Sequence, residues 1–124
     1  MLGTTRKVRV LAHRHPTDMR KSFHTLAALV VQQLKADVMV GDLFLFVGRD
    51  LKRAKVLYFD GTGLCLFSKL LSQGRFQAPW DVAGDLVMTQ SELALFLEGA
   101  QQMGRLSPAV ITNDALHVRP EDFR

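Results

Sequence analysis

Ala54 to Phe76 reads AKVLYFDGTGLCLFSKLLSQGRF, and its punctuation decides the fold. Two apolar runs, Val56–Phe59 and Leu64–Phe67, flank Asp60-Gly61-Thr62-Gly63. That pattern predicts a β-hairpin. Gly61 supplies the positive φ that a two-residue turn demands at its first central position, and Gly63 is expected to relieve crowding where the chain returns. Val56 and Tyr58 share one face of the first strand, while Lys55, Leu57 and Phe59 share the other. Leu64 and Leu66 oppose Cys65 and Phe67 in the same sense. Neither strand is cleanly amphipathic, so the hairpin is expected to be mostly buried.

Upstream, Leu43–Val47 (LFLFV) is apolar on both faces and reads as a central strand covered on both sides. Gly48 to Arg53 returns the chain with three cations and one anion. Such a loop can reach phosphates, or it can be a solvated hairpin tip. Arg6 to Leu11 alternates basic and apolar residues, predicting a half-buried strand with Val8 and Val10 inward. Pro16 keeps His15 out of the helical region. Thr17 or Asp18 then caps a predicted helix. Its apolar face is Met19, Phe23, Leu26, Ala27, Val30 and Leu34, and it runs to about Lys35, where a cation suits the helix dipole.

Downstream, Leu71–Ala83 is turn-like. Its Trp80 either seals a core edge beside Pro79 or stacks on a base. Leu86–Met88 reads as a short strand. Thr89-x-x-Glu92 is a capping box opening a second helix, with Leu93, Phe96, Leu97 and Ala100 as its stripe and Gly104 as its stop. Residues 105–124 read as an extension, either a flexible arm or short strands at Ala109–Thr112 and Leu116–Val118. The expected architecture is α+β. A single domain over 1–104 holds an antiparallel sheet of about four to five strands, a long N-terminal helix and a second C-terminal helix, with Phe23 and Leu26 packed on the sheet.

Composition narrows the function classes. At 124 residues, 48% apolar and 23% charged, the chain is long enough for a core and is not disordered by composition. Its one cysteine, Cys65, precludes an internal disulfide and is expected to be a buried, inert thiol of a reducing compartment. No apolar run reaches membrane-spanning length and the first residues do not open a signal peptide, so a soluble cytoplasmic protein with no membrane partner is expected.

The net charge of +4 is uneven. Residues 1–80 carry thirteen Lys/Arg against five Asp/Glu, whereas 81–124 carry three against seven. A basic body of this kind attracts polyanions, although uneven solvated charge is also common. The candidate nucleic-acid-binding residues are Arg20, Lys21, Arg49, Lys52, Arg53, Lys55, Lys69 and Arg75, as phosphate contacts rather than sequence readers.

Catalytic patterns are sparse. There is no P-loop, no dinucleotide fingerprint and no cysteine cluster for zinc, and no cofactor is expected. His13 and His15, with His24 or His117, fit no zinc template and read as surface histidines. Asp42, Asp60, Asp85 and Glu92 each have a structural reason at a strand end, a turn or a cap. A metal nuclease built on them is therefore disfavoured, and no serine has a paired-histidine pattern.

Several stretches together carry a family resemblance. Pro16-Thr17-Asp18-Met19-Arg20-Lys21-Ser22-Phe23 with Leu26, Leu43-Phe44-x-Phe46-x-Gly48-Arg49, Lys55 to Lys69, Gly74-Arg75-Phe76 and Leu93-x-x-x-Leu97-Glu98-Gly99 occur in order over roughly residues 5–100. This series resembles the small accessory protein TnpB, from the second reading frame of insertion sequence 66 elements. That family is unrelated to the RNA-guided nucleases sharing the name. The resemblance implies a transposition factor without assigned chemistry, working beside a separate, larger transposase. It also implies DNA as the nucleic acid that the candidate phosphate contacts would hold. The expected partners are therefore DNA at the element ends, the transposase and other element-encoded proteins. The alternative is an interaction module that never touches DNA and either forms a homodimer or docks on the transposase through the two-sided apolar strands Leu43–Val47 and Val56–Phe59.

Overall fold

The computed structural model describes residues 7–84 and 86–99. Five strands, β1 (Val10–Ala12), β2 (Leu43–Val47), β3 (Arg53–Phe59), β4 (Leu64–Leu70) and β5 (Val87–Met88), form one sheet in the order β4-β3-β2-β1-β5. Helix α1 (Phe23–Gln32) lies between β1 and β2 in the chain, and α2 (Gln90–Phe96) follows β5. The expectations for Arg6, Asp85, Ala100, Gly104 and residues 105–124 fall outside the described residues.

The expected wholly antiparallel sheet is corrected to a mixed one. β1 and β2 run parallel, Val10 facing Leu43 and Ala12 facing Leu45, while the other pairs are antiparallel. The reason is connectivity. α1 intervenes between β1 and β2, and a strand–helix–strand crossover brings the second strand back in the direction of the first. The first strand also sits further along than expected, at Val10–Ala12 rather than Arg6–Leu11. Pairing with β2 and β5 on its two sides sets those limits.

β2 lies where its two-sided apolar pattern places it, with Phe44 through Val47 buried. Phe44 and Phe46 pack with Leu57, Leu26 and Val30 beneath α1. Leu45 and Val47 pack with Val10, Ala12, Ala54, Val56, Phe76, Leu93 and Phe96 beneath α2. The helices thus cover opposite faces. On the second face the Phe76 and Phe96 rings stack with centroids 5.6 Å apart, and Trp80 seals the margin of that core.

The N-terminal helix is short and begins later than expected. Its cap is Ser22, whose N–H donates to Thr25 Oγ1 at 2.9 Å. Thr17 and Asp18 do not cap it, because both are engaged elsewhere: the Thr17 N–H donates to Val47 O at 2.9 Å, and Asp18 closes onto Arg20. Side-chain–backbone closure of this kind competes with helix initiation. Phe23, in the first turn, is left exposed, whereas Leu26 is fully buried. The helix stops at Gln32, and Lys35 lies beyond it in a left-handed conformation.

The second helix opens on the predicted capping box. The Thr89 N–H donates to Glu92 Oε1 at 2.8 Å, and the Glu92 N–H donates to Thr89 Oγ1 at 3.1 Å. It ends by Gly99, at φ +98°, where a side chain would also press within 3.3 Å of the Arg75 carbonyl.

In the hairpin, Gly61 has φ +105°, as its turn requires, and the Asp60 N–H donates to Gly63 O at 3.1 Å. Gly63 relieves no crowding, since nothing lies within 4 Å of where its Cβ would stand. β4 is not mostly buried either. It is a sheet edge, and Phe67, Ser68 and Leu70 are exposed. Cys65 is half-buried rather than buried; desolvation pushes its thiol above the usual range, which disfavours the reactive thiolate.

Candidate functional site

Two segments far apart in sequence meet at one corner of the sheet. Pro16–Lys21 follows β1 and precedes α1. Gly48–Lys52 joins β2 to β3. Met19 packs directly on Gly48, where an added Cβ would stand 2.9 Å from Met19 Cγ and 3.3 Å from Asp50 Oδ1. Only glycine permits this approach without displacing Met19. Thr17, buried and bonded to the end of β2, anchors the first segment.

The second segment is strained. Leu51 sits at φ +62°, a conformation costing a non-glycine residue roughly 1–2 kcal/mol. It is held there from three sides. Its N–H donates to Gly48 O at 3.0 Å, its carbonyl accepts from the Phe76 N–H at 2.6 Å, and its side chain packs against the core under α2. Asp50 Oδ1 accepts from the Lys52 N–H at 3.0 Å, closing the turn.

Where the segments meet they line a shallow groove of about 370 Å³. Arg20 comes from the first segment, Arg49 from the second and Arg53 from the start of β3, and Asp18 and Asp50 line the groove with them. Asp18 grips Arg20 through its Nε (3.0 Å) and Nη2 (2.7 Å). That side-chain bond, with the bond from the Arg20 N–H, holds the Asp18 carboxyl well below the usual carboxylate range; the carboxylate in turn raises Arg20. The clamp fixes the orientation of an otherwise exposed guanidinium. Three guanidinium groups against two carboxylates leave the groove cationic.

The other cations predicted from sequence are distributed differently. Lys21 lines a neighbouring hollow with His13, His15, Thr17 and Asp18. Lys52 is exposed on the turn but does not line the groove. Lys55 donates its Nζ to the Lys21 carbonyl at 2.8 Å, so it ties β3 to the first segment. Lys69 pairs with Glu98 at 3.6 Å, on the α2 side. Arg75 is exposed, its backbone beside Gly99. The structure therefore brings Arg20, Arg49 and Arg53 together, places Lys21, Lys52 and Lys55 around them, and sets Lys69 and Arg75 apart.

Asp18 and Asp50 also belong to the groove; the sequence signal for each is a nearby arginine, Arg20 two residues after Asp18 and Arg49 beside Asp50. His13 corrects another expectation. It is buried, with Nε2 2.6 Å from Gln33 Oε1 and Nδ1 3.1 Å from the His15 carbonyl. With Nε2–H donating to Gln33 and Nδ1 accepting from the His15 N–H at 3.4 Å, both ring nitrogens of a neutral imidazole are satisfied and the ring can sit inside the fold.

The carboxylates considered for metal chemistry have structural occupations. Asp42 is fully buried and accepts from the Arg9 N–H (3.1 Å) and guanidinium (2.8 Å), joining β1 to β2. Asp60 accepts from the Thr62 N–H, the Gly63 N–H and the Thr62 hydroxyl, which lower its pKa to about 2. Glu92 serves the capping box. Among the described residues, no three His, Cys, Asp or Glu side chains are grouped to hold a metal ion, and no helix is long and apolar enough to cross a membrane.

Comparison with known proteins places most of the chain. Residues 8–105 match the family described as IS66 Orf2 like protein, TnpB_IS66. Two proteins of Sinorhizobium fredii (strain NBRC 101917 / NGR234) are similar over 99 residues. The protein y4hO is 39% identical, covering 80% of this chain and 86% of its own. The protein y4jC is 35% identical, covering 80% and 85%. No solved structure matches.

Proposed function

This chain belongs to the IS66 Orf2-like family, and from that premise we propose that it is a non-catalytic accessory protein of insertion-sequence transposition that grips DNA phosphates through the Arg20–Arg49–Arg53 groove. The observation carrying this reading is that three guanidinium groups, one from each of the two segments and one from the start of β3, line a single groove, the second segment being held in a strained conformation. A solvated hairpin tip has no need of either feature. Planar guanidinium forks suit phosphate oxygens, and contacts of this type position a duplex without reading its sequence.

The test is a gel-shift titration with duplex DNA from the element ends at low and high salt. Binding that weakens steeply as salt rises is the expected result, because each neutralised phosphate releases counterions. Absent or salt-insensitive binding removes the DNA contact.

Docking on the transposase without DNA is the second reading. The strands first considered for it are not available: Leu43–Val47 is interior to the sheet, and Val56 and Leu57 are buried. The surface that favours this reading is instead the exposed apolar set Phe23, Val31, Met39 and Val40, on α1 and the helical turn following it. Co-purification with the transposase that survives nuclease treatment supports it, and its loss on nuclease treatment returns the interaction to DNA.

A further inference from the structure

We propose that β4 is a self-pairing edge, through which two copies of this chain join their sheets in antiparallel register about Phe67.

The two ends of the sheet are unlike. β5 is two residues long, too short to template a partner, whereas β4 runs seven residues with continuous register against β3. Edges are ordinarily protected by proline, a bulge, an inward charge or brevity. β4 has no proline, no glycine and no bulge. Its one charged residue, Lys69, is drawn toward Glu98 of its own chain at 3.6 Å.

The ladder fixes which main-chain groups face outward. The Asp60 N–H donates to Gly63 O, and the Leu71 N–H donates to Lys52 O. Bonded pairs alternate between these two, so Cys65, Phe67 and Lys69 turn their N–H and C=O groups toward β3. Leu64, Leu66, Ser68 and Leu70 turn theirs outward. Among the described residues, no main-chain bond from another segment reaches those four.

The sequence of the strand points to a second copy as the occupant. Leu64-x-x-Phe67-x-x-Leu70 reads alike in both directions about Phe67. With the two-fold axis there, Leu64 faces the second copy's Leu70 and Leu66 faces its Ser68. These positions exchange the outward hydrogen bonds. Phe67 faces its own image at a non-bonded pair, where side chains approach most closely, and Lys69 faces Cys65, so no like charges oppose. Pairing covers Phe67 and Leu70, 46% and 53% exposed in the single chain. A two-fold interface requires this self-complementarity, whereas an unrelated strand does not.

Sedimentation equilibrium of the full chain tests the proposal, with Ser68→Pro and Phe67→Lys as variants. Ser68→Pro deletes an outward donor and leaves the bonds to β3 intact. Phe67→Lys sets like charges face to face. The expected result is a two-fold mass for the wild type at about 100 μM, and a monomer with unchanged circular dichroism for both variants. If Ser68→Pro loses the folded signal, Phe67→Lys decides alone. A wild type that stays monomeric overturns the proposal and leaves the edge to another protein's strand. A dimer that persists in the folded variants also overturns it.

Discussion

β3 is entered and left through two turns that look alike in the sequence and differ in physics. Asp60–Gly63 is closed by its own atoms. Its carboxylate accepts from Thr62 and Gly63, and glycine occupies the position needing positive φ. Gly48–Lys52 is held from outside. Its positive-φ residue is Leu51, its glycine is pressed by Met19, and Arg49 beside the strained residue lines a shared groove. A turn satisfied locally needs no partner. A turn whose strain is held by distant contacts, and which gathers cations, is where function is expected.

That contrast breaks most readily at the arginines. Arg49→Ala with Arg53→Ala should weaken DNA binding about 100-fold at moderate salt, near 1.4 kcal/mol for each lost contact. Thermal melting should move little, since both side chains are exposed. Equal binding in a gel shift would make this turn as inert as the other one.

Gly48→Ala tests whether the outer contacts matter. The added methyl meets Met19 Cγ at 2.9 Å, so the first segment must move. Denaturant unfolding should show a loss of about 2 kcal/mol, with weaker DNA binding as Arg20 is displaced. The matching change in the local turn, Gly61→Ala, places a side chain at φ +105°. It should cost about 1 kcal/mol and leave DNA binding unchanged. A binding loss there would erase the distinction.

The smallest effect is one of pH. Hydrogen bonds depress Asp60 from 3.8 to about 2. A depressed carboxylate stabilises the fold above its unfolded pKa and loses that contribution as pH falls through the folded one. Stability from this turn should therefore decline between about pH 4 and pH 2. Asp60→Asn should flatten that part of an acid-unfolding curve without touching DNA affinity.

What the sequence revealed divides along the same line. β2, the hairpin, Gly61 and the Thr89–Glu92 capping box were legible because each is specified by neighbours in the chain. The start of α1 was not. Asp18 makes a good cap locally, but Val47 and Arg20 claim the segment first. The parallel pairing of β1 with β2 was hidden because polarity patterns carry no strand direction. The edge position of β4 was hidden because its residues are as apolar as those of β3. At the site, the cations could be counted but not assembled: the packing of Met19 on Gly48 joins two segments distant in sequence and sets Arg20 along the same groove as Arg49 and Arg53, while Lys69 is turned toward Glu98.

The most direct test of the central claim is the salt slope of DNA binding in the wild type and in the Arg20→Ala/Arg49→Ala/Arg53→Ala chain. Each phosphate contact contributes about −0.9 to the slope of log affinity against log salt, so the substituted chain should have a slope shallower by about 2 to 3 units. Parallel lines, offset or superimposed, would contradict a phosphate-gripping groove.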